Sequence, residues 1–467
     1  MADKKLTFEF ESAWKKLGKR NYKKIMSFAE DYRKFLNGAK TERECVSVMT
    51  EIFKANGFKE LEDAKTLKTG DRVYKVIKNK GLVAAVMGER PVTDGMNILG
   101  AHIDSPRTDL KPLPMYEADS MAFLKTHYYG GIKKHQFTTI PLSMHGVIYN
   151  EKGEKLTISI GEDPGDPVFT ITEILVHLSD DQMQRKPAQM VKGEEMNVLF
   201  AGMPIDDEDE KNKVKAAALK LLYDKYGITE KDFVTAEIEM VPAFKAVDVG
   251  IDKSFIGGYG QDDRVCAYTE LRALLDLKDP EITAIACFTD KEETGSGSST
   301  GATSRLYENV LAEILYKSVK DANDLDFRTA LANTKMISSD VTSAFEPNYK
   351  GEAFDKLNCT YAGSGVGILK YTGARGKYSC NDASGEFFHE VVSVFDKGKV
   401  PWQTGELGAI DVGGGGTIAV YMAQLGLDVI DCGVPVLSMH SPFEITSKAD
   451  IFSAYLGFLS FIQKCGR

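Results

Sequence analysis

The residues able to do chemistry in this chain stand where its apolar runs stop. ITAIACF leads into TDKEETGSGSS, so two adjacent glutamates, Glu292 and Glu293, sit between a buried run and a Gly/Ser loop. In the same way MNILGAHID delivers His102 and Asp104, GGYGQDDR delivers Asp262 and Asp263, KMISSD delivers Asp340, and VPVLSMHS delivers His440. Each is a metal-ligand type. One such acid, Asp262 or Asp340 alone, is most simply a helix cap or a surface carboxylate. Five strand ends of this kind together argue for a site, because acids flanking buried strands are costly unless paired or bound to a cation.

Two imidazoles and three carboxylates, one of them bridging, are what a pair of divalent cations about 3.5–4 Å apart requires. Nitrogen and oxygen donors without thiolate suit zinc, cobalt or manganese. The H-x-D spacing of His102 and Asp104 has its own logic, since a ligating imidazole gives its other ring proton to a carboxylate, which fixes the tautomer. Adjacent residues at a strand end point in different directions. One glutamate of the pair can therefore bind metal while the other acts as general base on the attacking water.

The elements that must position these residues read as mixed α and β. In open α/β sheets, ligands gather beyond the carboxyl ends of the strands. Apolar positions Ile25, Phe28, Tyr32 and Phe35 have helical spacing. Residues 74–88 read as strand, turn and strand, 96–102 as a buried strand, 265–277 as a helix, and 282–288, 335–341 and 429–440 as further strands. Alternating strands and helices imply a doubly wound, largely parallel sheet with helices on both faces. Between residues 112 and 240 the texture changes to short alternating runs such as HGVIYN and KLTISIG, with one helical stretch, KVKAAALKLLYDKYG. The expected division is residues 1–111 and 241–467 for the α/β part, with 112–240 as an inserted β-rich domain.

The totals narrow the class. At 467 residues the chain is long for one core. With 58 Lys and Arg against 68 Asp and Glu, a net charge of −10 opposes binding to nucleic acid or anionic lipid. No run approaches the roughly 18–20 apolar residues of a membrane span, and the start has no apolar leader, so the expected location is cytoplasmic. The seven cysteines are scattered, with no CxxC pair, which argues against a disulfide frame or a thiolate metal site. GSGVG and VGGGGTI read as tight turns rather than nucleotide loops, and His127, His145, His177 and His389 as structural or surface residues.

The segments AHIDSPR, GQDDRVCAY, DKEETGS, SSDVTSAFEPNY and LSMHSPFE, in this order, together with YGGIKKH, resemble the aminopeptidase I and aspartyl aminopeptidase family of dinuclear zinc exopeptidases. The resemblance implies a zinc-peptidase α/β domain interrupted by a dimerisation domain, assembled from dimers up to a tetrahedral dodecamer. It implies that His102 and Asp340 hold one metal, Glu293 and His440 the other, and that Asp262 bridges them. Asp104 would orient His102, Glu292 would be the general base, and His135 would reach a neighbouring subunit's site to bind substrate and stabilise the oxyanion. The substrates would be peptides with a free N-terminus, shortened one residue at a time.

Departures from the aspartyl pattern bear on specificity. DVTSAFEPNY places Ser343 and Glu346 where that pattern has histidines, and Glu352 stands in for a lysine that would meet an acidic side chain. KKHQFTTIPL after YGGI lacks the family's D-R-D. A carboxylate facing an acidic substrate repels it, so the expected preference is for neutral or basic N-terminal residues. The competing expectations are a deacylase or carboxypeptidase with the same metal core, and a non-catalytic scaffold of the same fold.

Overall fold

Strands Asn97–His102 and Ala284–Thr289 are buried at every position, which requires apolar cover on both faces of their sheet. A computed structural model, describing residues 6–349, 351 and 353–466, shows how that cover is built. Nine strands lie in the spatial order Lys59–Glu60, Arg72–Ile77, Gly81–Val86, Ala284–Thr289, Asn97–His102, Lys335–Ser338, Asp428–Gly433, Val366–Leu369, Trp402–Thr404. The four strands from Ala284–Thr289 to Asp428–Gly433 run parallel, and antiparallel pairings flank them.

Side chains of a strand alternate between faces, and this sheet separates its residues accordingly. Leu99, Ala101, Ala284, Ala286 and Phe288 enter one core with helices Tyr22–Gly38, Glu42–Ala55, Gln261–Asp276 and Lys448–Lys464. Ile98, Ile285 and Cys287 enter the other with Arg305–Ser318 and Asp324–Ala332. Helix Glu42–Ala55 starts at a reciprocal cap. Thr41 Oγ1 accepts the Glu44 N–H at 3.3 Å, and Glu44 Oε2 accepts the Thr41 N–H at 3.2 Å.

The chain divides into two compact units, residues 1–104, 246–439 and 443–467 in one, and residues 105–245 with 440–442 in the other. The second unit is a seven-stranded antiparallel sheet in the order Lys155–Ile160, Leu142–Tyr149, Glu237–Pro242, Arg107–Ala118, Met121–Tyr129, Val198–Ala201, Thr170–Ile171. Helix Lys213–Tyr226 contributes Ala218 and Leu222 to its core, beside Leu142, Met144 and Ile238. The helix stops at Gly227, whose φ of 67° is the left-handed conformation that favours glycine.

Two elements differ from the sequence expectation. The run 429–440, read as one strand, is two: Asp428–Gly433 in the nine-stranded sheet and Pro435–Leu437 in a separate five-stranded sheet. The break comes at Gly433, where a Cβ would lie 1.8 Å from the Asp340 carbonyl oxygen, so the two chain segments approach too closely for any side chain. The helix expected from Val265 begins at Gln261, and Asp262 and Asp263 inside its first turn have non-helical dihedrals. Among the described residues no helix is long and apolar enough to cross a membrane, and all seven cysteines are free.

Candidate metal centre

The register of the parallel strands decides which residues leave the sheet together. Thr289 lies opposite His102, and Ser338 opposite Gly100. The segments carrying His102 and Asp104, Asp290 to Glu293, and Asp340 therefore emerge at one edge, where the start of helix Gln261–Asp276 brings Asp262 and Asp263. Potential ligand atoms of His102, Asp262 and Glu293 lie within 4.8 Å of one another, as do those of His102, Asp263 and Asp340. His102 Nε2 is 3.1 Å from Asp262 Oδ1, 3.7 Å from Asp340 Oδ1 and 3.9 Å from Glu292 Oε2.

Asp104 organises this edge. Its Oδ1 lies 3.3 Å from His102 Nδ1, whose ring also faces the Asp104 carbonyl at 3.1 Å. The same carboxylate accepts the backbone N–H groups of Glu292 and Glu293, each at 3.2 Å. Both glutamates begin a single 3₁₀ turn, Glu292–Thr294, entered through Lys291 at φ 70°. The Gly/Ser loop that follows folds back on it. The Gly295 N–H donates to Glu292 O at 2.8 Å, and Thr300 Oγ1 donates to Asp290 Oδ2 at 2.6 Å. This loop braces the glutamate turn.

The electrostatics follow from burying acids beside acids. Burial by itself lowers the His102 pKa, yet Asp104, Asp262 and Asp340 outweigh it and hold the imidazole well above its ordinary value. Burial pushes the Glu292 carboxyl up to about 8, with Asp340 adding to the effect and His102 opposing it. Asp263 is raised well above the carboxylate range, first by burial and then by Asp340 and Asp262. Its Oδ1 is buried with no hydrogen-bond partner, while its Oδ2 faces the His102 N–H at 3.3 Å. Protons on these groups relieve charge that a bound cation would relieve better. The donor set of imidazole and carboxylate oxygen, free of thiolate, fits zinc.

Of the remaining expected site residues, His440 groups with the second unit, where its Nδ1 is 2.8 Å from the Gly131 carbonyl oxygen. His135 is exposed in the 3₁₀ turn Lys134–Gln136 of that unit. Ser343 belongs to a short strand, Thr342–Ser343, paired with Pro435–Leu437. Glu346 is half-buried and its Oε1 accepts the Asn348 N–H at 3.1 Å. Glu352 lies outside the described residues.

Two acids next to the cluster were not singled out from sequence. Glu270 is fully buried and accepts the Ser339 hydroxyl at 2.6 Å, immediately before Asp340. Glu444 is buried beside Asp262. Neither of these two follows an apolar run, so only the folded chain reveals them.

Comparison with known proteins agrees over the whole length. Residues 35–462 match the family described as aminopeptidase I zinc metalloprotease (M18). The protein from Clostridium acetobutylicum named probable M18 family aminopeptidase 1 is 46% identical over 459 residues, covering 97% of this chain and 98% of that one. The crystal structure of an M18 aminopeptidase from Thermotoga maritima superposes with a TM-score of 0.94 at 45% identity, over 98% of this chain and 100% of that one. Aminopeptidase I from Clostridium acetobutylicum superposes with a TM-score of 0.91 at 44% identity, again over 98% and 100%. This chain, with its zinc-peptidase fold and its edge of imidazole and carboxylate donors, belongs to the M18 family of metal-dependent aminopeptidases.

Proposed function

We propose that this aminopeptidase releases single N-terminal residues from peptides with the aid of two zinc ions, and that Glu292 is its general base. The observation that carries the reading is the double duty of Asp104, which orients His102 and fixes the backbone of both glutamates at once. His102 and Asp340 would hold one ion, Glu293 and His440 the other, with Asp262 shared. The hydrogen-bond distance from His440 Nδ1 to a carbonyl oxygen suits a ring that donates from Nδ1 and keeps Nε2 for a ligand. When bound, the cation pair would anchor the free α-amine, polarise the first carbonyl and acidify a water.

The chain's own groups then move the protons. Glu292, half-buried at the rim of the cluster, takes a proton from the attacking water and returns it to the leaving amine. A carboxyl raised toward neutrality suits that exchange, because it can be both acceptor and donor near working pH. His135, exposed on the second unit, would serve the site of a neighbouring copy, stabilising the oxyanion. Such a role needs a homo-oligomer, built from dimers through the inserted domain and extending up to a dodecamer. Support for an interface there comes from the exposed apolar stretch Leu175, Val176 and Leu178. Seven free cysteines suit a reducing, cytoplasmic setting. Glu346, a carboxylate in a segment the family associates with substrate, supports a preference for neutral or basic residues.

The test is hydrolysis of a panel of free-amine peptides by purified protein, metal-stripped and reconstituted with zinc, cobalt or manganese, with N-acetylated controls. Turnover is expected only with metal and a free amine, and the highest kcat/KM on a neutral or basic residue. A highest kcat/KM on Asp or Glu would overturn the specificity, turnover of blocked substrates would favour a deacylase, and metal binding without any turnover would favour a scaffold.

A further inference from the structure

We propose that Glu444 is a positioning residue for Asp262, its carboxylate holding the backbone from which Asp262 reaches the metal centre. This rests on the reading of Asp262 as a metal ligand. Asp262 has φ −79° and ψ 106°, outside the helical region, within the first turn of helix Gln261–Asp276. The first N–H groups of a helix have no partner within it, and a buried one left unpaired costs about 1–3 kcal/mol. Here the Asp262 N–H donates to Glu444 Oε2 at 3.1 Å.

The residue before it is anchored to the same strand. The Gln261 side-chain amide donates to the Glu444 carbonyl at 2.6 Å and to the Ile256 carbonyl at 3.1 Å. Glu444 itself is fixed in strand Glu444–Ser447, paired with Phe255–Gly258. The side chain of residue 261 and the main chain of residue 262 are thus both tied to residue 444. The consequence is the placement of Asp262 Oδ1 3.1 Å from His102 Nε2. Asp104 treats Glu292 and Glu293 in the same way, as a buried carboxylate gripping the amides of residues that carry functional side chains. Glu444 repeats that device at the amide of Asp262.

Reach and charge can be separated by substitution. Glu444→Gln keeps an oxygen acceptor at the same distance and loses the charge. Glu444→Asp keeps the charge and loses about 1.5 Å of reach, one carbon–carbon bond. Zinc affinity, measured by competition with a chromophoric chelator on metal-stripped and refilled protein, is the readout, with thermal unfolding recorded alongside. Loss of an outer partner of a metal ligand typically weakens binding 10–100-fold. Glu444→Asp and Glu444→Ala are expected to lose about 10-fold or more, and Glu444→Gln to stay within about threefold of the parent. Unchanged zinc affinity in Glu444→Asp, or a loss in Glu444→Gln equal to that in Glu444→Asp, would overturn the proposal. If Glu444→Ala does not fold, the Gln and Asp pair still decides. Asp262→Ala is the control: if it keeps full zinc affinity, the ligand reading of Asp262 fails, whereas its loss beside an unaffected Glu444→Asp refutes only the role of Glu444.

Discussion

In the second unit, Arg107 Nε lies 2.8 Å from Asp109 and 3.1 Å from Glu239, and its guanidinium stacks 4.1 Å from the Tyr129 ring centre. Asp109 and Glu239 face each other across adjacent strands, a like-charge pair that Arg107 bridges, and the remaining negative charge is met by solvent at the half-exposed Asp109. In the first unit, burial raises the Glu292 pKa most, and of the charges around it Asp340, Asp104 and Asp262 add to the rise while His102 opposes it. One region completes its electrostatics within the chain and at its surface. The other concentrates acid around His102 and so creates demand for a cation from outside. Buried charge alone does not mark a site; buried charge left uncompensated does.

That contrast can be broken first at Arg107. Arg107→Met removes the cation and leaves the buried Glu239 beside Asp109, so unfolding free energy should fall by about 3–5 kcal/mol, the usual cost of breaking a buried pair from one side. Urea denaturation followed by circular dichroism measures it, and a loss under about 1 kcal/mol would mean the pair is no more than a surface contact.

The opposite behaviour is expected in the acid cluster. Glu292→Gln removes one of several mutually repelling carboxylates, so the metal-free protein should be no less stable than the parent. Turnover of the refilled enzyme should nonetheless fall by about 10²-fold or more, the typical loss of a general base. Bound zinc, counted by elemental analysis, should be unchanged. Near-normal turnover would remove Glu292 from its role, and lost zinc would make it a ligand instead.

The same distinction explains what could be read from sequence. His102, Asp104, Glu292, Glu293 and Asp340 were legible because a parallel sheet delivers whatever follows its strands to one edge, and apolar runs mark strand ends; Asp262 carried the same mark, although the strand before it, Phe255–Gly258, lies in the five-stranded sheet. Asp290 was not, since its role is to brace the Gly/Ser loop through Thr300 rather than to face the cluster. Glu270 and Glu444 were illegible for a related reason. Each lies within an element, and its partner, Ser339 or the Asp262 amide, is distant in sequence. The run 429–440 misled because apolar periodicity says nothing of which sheet a strand joins. The close crossing of Gly433 and Asp340 is a tertiary fact.

A third kind of buried acid sharpens the comparison by belonging neither to the Arg107 group nor to the acid cluster. Asp450, in the first turn of helix Lys448–Lys464, accepts the Gly363 N–H at 2.6 Å and the Gly365 N–H at 2.7 Å. Burial nevertheless pushes its carboxyl up to about 8, the two amides opposing the shift. The folded chain then holds a proton that the unfolded chain, with an ordinary value near 3.9, releases early. Between about pH 4 and pH 8 the folded state binds more protons, so the contribution of this group to stability falls as pH rises through that window. Asp450→Asn removes the titration and one of the two amide acceptors, costing about 1 kcal/mol at pH 5. Above pH 5 the parent should lose that advantage at about 1.4 kcal/mol per pH unit, so the two melting temperatures should cross and the parent should be the less stable protein by pH 9. A Tm difference constant across that range would show that Asp450 stays charged throughout, held by its two amides as firmly as Glu239 is held by Arg107.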